Sequence, residues 1–144
     1  MRIAIASDHA AVELRESLVR HIEAAGHSVE DLGCVPGERV DYPRYAAAVA
    51  GAVTHGGCDR GVLLCGSGIG MSIAANKLAG IRAALVHDTT TARLAREHND
   101  ANILCLGART IGPLIALECV DVWLGAQFDA RHQRRLDLIT EMEG

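Results

Sequence analysis

A cysteine that closes an apolar run and is followed by glycines at alternate positions is the arrangement in this chain best suited to chemistry. It occurs in "LLCGSGIGMSIAANK", residues 63–77, where Cys65 precedes Gly66, Ser67, Gly68, Ile69 and Gly70. A free thiol with a pKa of about 8.5 is only a few per cent thiolate at neutral pH, and a helix N-terminus can lower that value by roughly a unit or more. The thiolate could then serve as base or nucleophile. The glycines allow several backbone N–H groups to converge where a helix begins, which suits a phosphate or a developing oxyanion. The segment lacks the Lys-Ser/Thr ending of a Walker A loop, and it follows the third strand where a dinucleotide fingerprint would follow the first. A tight strand-to-helix turn without a ligand has the same composition.

Other polar residues fall at the predicted ends of apolar runs: Ser7, Asp8 and His9 after the first, His87 and Asp88 after the fourth, Gly107 and Arg109 after the fifth. His98 and Asn99, in the polar "EHND", fall in the turn before the fifth run, where a helix C-cap would read similarly. The seven histidines include no HExxH and no paired Cys/His spacing, so no metal or other cofactor is expected. Cys105 and Cys119 read as small core residues, and Cys34 and Cys58 fall in loops without a motif. Lys77, the only lysine, suits a helix C-terminus. "RHQRR", residues 131–135, reads by itself as a solvated helix face with pairs such as Arg134 with Asp137.

Short aliphatic runs alternate with helical patterns along the chain, the signature of βαβ units around a parallel sheet. Strands are predicted at "RIAIAS", "HSVEDL", "RGVLLC", "IRAALVH" (81–87) and "NILCLG". Helices are predicted at "VELRESLVRHIEAAG", where Leu14, Leu18 and Ile22 share a face, then after Asp41 and Pro43, from the glycine turn to about Lys77, at "TTARLAREH", at "IGPLIALECVDVWLG" and at "RRLDLITEM". The expected fold is α/β: a three-layer αβα Rossmann-like arrangement with a five-stranded parallel sheet and an extra C-terminal helix. In such sheets ligands bind at the carboxyl ends of the strands.

The 144 residues suit one domain, residues 1–144, and a 49% hydrophobic, 22% charged composition is that of a globular chain. A net charge of -4 argues against nucleic acid or an anionic membrane as partner, so an anionic ligand would need a local cluster. Five cysteines without CxxC spacing, and an N-terminus reading directly as a strand, point to reduced thiols in the cytoplasm. No apolar segment is long enough to span a bilayer.

Taken together and in order, "SDHA", "DYP", "CGSGIGMSIAANK", "REHNDANIL", "LGAR" and "WLGAQF" followed by "RHQRR" closely resemble the type B ribose-5-phosphate isomerases, a family that includes allose 6-phosphate isomerase and the galactose 6-phosphate isomerase subunits. The resemblance implies metal-independent interconversion of D-ribose 5-phosphate and D-ribulose 5-phosphate, in the pentose phosphate pathway, through a cis-enediolate. It implies that Cys65 moves the proton between C2 and C1, that His98 opens the sugar ring, and that the N–H groups of Gly66, Gly68, Ile69 and Gly70 with the Ser67 hydroxyl stabilise the enediolate. Asp8, His9 and Asn99 would hold the sugar, and Arg109, Arg131 and Arg135 the phosphate. It further implies a homodimer or dimer of dimers with the site shared between subunits. Allose 6-phosphate or galactose 6-phosphate isomerisation is the alternative within the family. A non-catalytic sugar-phosphate or nucleotide-binding module is the alternative outside it.

Overall fold

The computed structural model describes residues 1–144. Strand β1 (Arg2–Ser7) leads to helix α1 (Val12–Ala24), then β2 (Ser28–Asp31), α2 (Tyr42–Thr54), β3 (Arg60–Cys65) and α3 (Ile69–Ala75). The chain continues through β4 (Ala83–Leu85), α4 (Thr89–Asn99), β5 (Ile103–Gly107) and α5 (Pro113–Gly125). A single 3-10 turn (Ala130–His132) precedes α6 (Gln133–Glu141).

All strand pairs are parallel, and the order is β2-β1-β3-β5-β4. The burial of the strands agrees with this order. Every residue of β5 is buried, which suits a central position, while the three residues of β4 are only half-buried and suit an edge. The apolar pattern predicted strand four over residues 81–87, but only Ala83–Leu85 join the ladder. Ile81 and Val86 are buried outside it, because burial and strand pairing are separate demands on an apolar residue.

Successive side chains alternate between sheet faces, so each central strand feeds two cores. Ile3, Ile5, Val62, Leu64, Leu104 and Leu106 pack against α1, α4 and α5, with Trp123 at the centre of that layer. Ala4, Ala6, Leu63, Cys65, Ile103 and Cys105 pack against α2 and α3. The alanines of β1 and α2 keep this second layer thin and bring α2 close to the sheet beside Cys65.

Two local expectations are corrected. Helix α3 stops at Ala75, not near Lys77, because Lys77 and Leu78 donate to the carbonyls three residues back and close the element with turns. Asp137 accepts a hydrogen bond from Gln133 Nε2 at 2.8 Å, and no ion pair joins it to Arg134. Helix α6 buries only Leu136 and leaves Leu138, Ile139 and Met142 exposed. No helix is long and apolar enough to cross a membrane.

Candidate active site

The carboxyl ends of β1, β3 and β5 lie side by side, with Ser7 opposite Leu64 and Cys65 opposite Gly107. Cys65 is 5% exposed, and its sulfur accepts a hydrogen bond from the Gly68 N–H at 3.1 Å. That contact curls the glycine segment around the sulfur. Gly68 has φ +76, a left-handed conformation that side chains resist, and a Cβ there would lie 2.6 Å from Leu85 and 2.9 Å from the Leu106 backbone. The Ser67 hydroxyl accepts from the Ile69 N–H at 3.2 Å, while the Ile69 side chain points to solvent. The N–H groups of Gly70 and Met71, also in the first turn of α3, have no backbone partner and remain donors at its head.

Neighbouring elements press on this loop. A Cβ at Gly107 would sit 2.6 Å from the Ser67 carbonyl, so β5 supports the loop from below. Arg109 donates its N–H to the Gly66 carbonyl at 2.9 Å, and its guanidinium covers Gly66. Tyr42, at the start of α2, lies against Gly70, where a Cβ would meet its ring. Sequence reasoning assigned Tyr42 no role; its only signal was its place in "DYP".

From β1, the Asp8 N–H donates to the Leu64 carbonyl at 3.1 Å, and its carboxylate accepts from the Ala10 N–H at 2.9 Å. His9 is exposed, and its Nδ1 accepts from the Val40 N–H at 3.2 Å. A second residue the sequence did not disclose stands behind them. Arg15, 4% exposed, donates to Ser7 Oγ at 2.6 Å and the Cys34 carbonyl at 2.8 Å, and pairs with Asp31 at 3.1 Å. It ties the tip of β1 to the loop after β2, so a charge on the apolar face of α1 is used within the fold.

Asp8, His9, Cys65, the segment from Gly66 to Gly70 and Arg109 therefore form one group. His98, Asn99, Arg131 and Arg135 form another. Helix α4 is capped at its start by Asp88, whose carboxylate accepts from the Thr91 N–H at 2.7 Å. Its 11 residues then run back about 16 Å, carrying His98 and Asn99 towards the amino edge of the sheet. There Asp100 turns the chain with φ 45, held by Arg82 at 2.9 Å and Arg96 at 2.7 Å. Arg82 also donates to the Asn99 carbonyl at 3.1 Å.

The segment after α5 is anchored at this end by the Asp129 N–H, which donates to the Glu97 carbonyl at 2.8 Å. The His132 ring consequently lies 4.5 Å, centroid to centroid, from that of His98. Desolvation, His98, Arg131 and Arg135 push the His132 pKa down, and Asp129 opposes them. Arg135 is exposed on the first turn of α6.

An open groove of about 860 Å³ runs past edge strand β4, lined by Lys77, Leu78, Leu85, Asn99, Ile139 and Met142 among others. It joins the end of α3 to the end of α4. All five cysteines are free. Burial pushes the Cys105 thiol up strongly and that of Cys119 to about 11, so both are poor nucleophiles. No group of three or more His, Cys, Asp and Glu side chains is placed to hold a metal ion.

Comparison with known proteins matches residues 3–139 to the ribose/galactose isomerase family. The ribose-5-phosphate isomerase B of Escherichia coli is 47% identical over 143 residues, covering 99% of this chain and 96% of that protein. The structure of ribose-5-phosphate isomerase B from Clostridium thermocellum is 48% identical and superposes with a TM-score of 0.97, covering 99% of this chain and 97% of that one. The Mycoplasma genitalium ribose-5-phosphate isomerase B, solved with bound ribulose-5-phosphate, is 41% identical with a TM-score of 0.93, covering 99% of this chain and 95% of that one.

Proposed function

The chain belongs to the ribose/galactose isomerase family, and from that premise we propose that it interconverts D-ribose 5-phosphate and D-ribulose 5-phosphate with Cys65 as the base. The observation that carries this reading is the Cys65 sulfur, within 3.1 Å of the Gly68 N–H at the head of a loop of converging backbone donors. In the open-chain aldose, the thiolate takes the C2 proton, and the C–H electron pair forms the C1–C2 double bond as negative charge moves onto O1. A proton passes from O2 to O1, the thiol returns its proton to C1, and the C2 carbonyl is left. Donors from Gly66 to Gly70 and the Ser67 hydroxyl stabilise the charge while it is on oxygen. Removing one such donor typically costs about 100-fold in kcat or more.

Ribose 5-phosphate exists mainly as a furanose, so an acid must first open the ring, and His98 is that acid. Asp8, His9 and Asn99 hold the hydroxyls, and Arg109, Arg131 and Arg135 bind the phosphate through guanidinium forks. Because α4 separates His98 from Cys65 of the same copy, the working unit is a homodimer or a pair of dimers, each site taking its acid from the second copy. The unpaired edge of β4, its apolar groove and exposed Ile69, Ile73, Leu78, Ile139 and Met142 support such an arrangement. Five free thiols fit a reducing, cytoplasmic setting.

The test is turnover of D-ribose 5-phosphate by purified protein in EDTA, with allose 6-phosphate in parallel and Cys65→Ala as control. Turnover of the pentose ester that disappears in the variant, with sugar-phosphate binding retained, supports the assignment. Preference for allose 6-phosphate would move the substrate within the family, and no turnover of either sugar by folded, reduced protein would reject it.

A further inference from the structure

The sequence motif "RHQRR" supplies two arginines to the proposed phosphate site and leaves its histidine without a role. That histidine is the closest described aromatic neighbour of the proposed ring-opening acid: the two rings lie 4.5 Å apart and are inclined at 39°. We propose that His132 is a positioning residue for His98, a ring packed against the acid that holds it in the orientation ring opening needs. The proposal rests on the assignment of His98 as the acid.

The contacts around His132 hold the ring in place. Arg131 carries one Nε–H, and its Nε lies 2.8 Å from the Asp129 carboxylate and 3.3 Å from His132 Nε2, so Asp129 fixes the edge of the guanidinium against the ring. Asp129 in turn caps the turn through the Arg131 N–H and bonds to the backbone of Glu97, one residue before His98. The chain from Glu97 through Asp129 and Arg131 to His132 thus closes back on His98.

Charges around the pair keep added positive charge off His132. His132 faces His98 from α4, Arg131 and Asp129 from its own turn, and Arg135 from α6. Two of these are permanent cations and one is an anion already paired with Arg131. Glu97, the other nearby carboxylate, is turned towards Arg93. Desolvation and the cations accordingly hold the His132 pKa below its ordinary value. A charge on His132 would repel a protonated His98, so an uncharged ring is the partner that packs against the acid without opposing it.

The test separates ring opening from proton abstraction. D-ribulose 5-phosphate cannot close a furanose, because its O5 carries the phosphate. Exchange of its C1 hydrogen with D2O therefore needs only the cysteine and the oxyanion donors, whereas net turnover of D-ribose 5-phosphate also needs the acid. His132→Ala should lower kcat for ribose 5-phosphate by about tenfold while the exchange rate stays within about twofold. His132→Phe, which keeps an aromatic ring against His98, should restore kcat to within about threefold. A residue needed only for folding would lower both activities together, and a His132→Phe protein no more active than His132→Ala would show that the ring contact does nothing; either result overturns the proposal.

NMR of the unmodified protein supplies a second reading that depends on no variant. Nuclear Overhauser contacts between the ring protons of His98 and His132 support the packing, and their absence overturns the proposal. Absence of both turnover and exchange in the unmodified protein would instead refute the isomerase assignment, which keeps the two failures distinct.

Discussion

Gly107 ends β5 directly beneath the loop that follows Cys65, and Gly107→Ala tests whether the position of that loop matters. Its φ lies outside the left-handed range, so alanine meets no backbone penalty and the effect is steric. The added methyl would stand 2.6 Å from both the carbonyl carbon and oxygen of Ser67 and would also press on the Thr110 hydroxyl. Ordinary carbon contacts begin near 3.4 Å, so the loop and the strand must part by about 0.8 Å. Overpacking of this kind costs about 1–3 kcal/mol, which for a chain of this size lowers Tm by roughly 3–10 °C. If the loop N–H groups are the oxyanion donors proposed above, their displacement by nearly an ångström should cost about 100-fold in kcat. Steady-state kinetics on ribose 5-phosphate with calorimetry on the same sample gives both numbers. Gly112→Ala is the control, since nothing lies within 4 Å of its added methyl. A Gly107→Ala protein with unchanged kcat and Tm would refute the claim that β5 sets the loop.

Gly51 lies inside α2 with open space around it, so Gly51→Ala should stabilise the protein by about 0.5–1 kcal/mol, read as a rise in Tm. Asp88→Ala removes the side-chain cap of α4 and should cost about 1 kcal/mol, measured by urea denaturation. The Cys119 thiol, raised to about 11 in the folded protein chiefly by burial, ionises more readily when unfolded. Above about pH 8.5 the unfolded chain therefore binds fewer protons than the native one, and stability should fall as pH rises towards 11, with Cys119→Ala flattening that fall.

What the linear sequence determined was the alternation of strands and helices, the position of Cys65 at a strand end and the glycines that follow it. These are local matters: an apolar run, a turn that needs φ above zero and a helix start are all written within about ten residues. The resemblance added roles, but it could not say where each residue lies. Only the tertiary structure placed β5 between β3 and β4 and so put Gly107 under Ser67. It alone gave Arg15, on the apolar face of α1, its partners Ser7, Asp31 and Cys34. It also separated His98 from Cys65 by the length of α4 and joined His98 to His132, 34 positions away in the chain. Contacts between distant segments depend on how two apolar layers close over one sheet, and no spacing within a single segment encodes them.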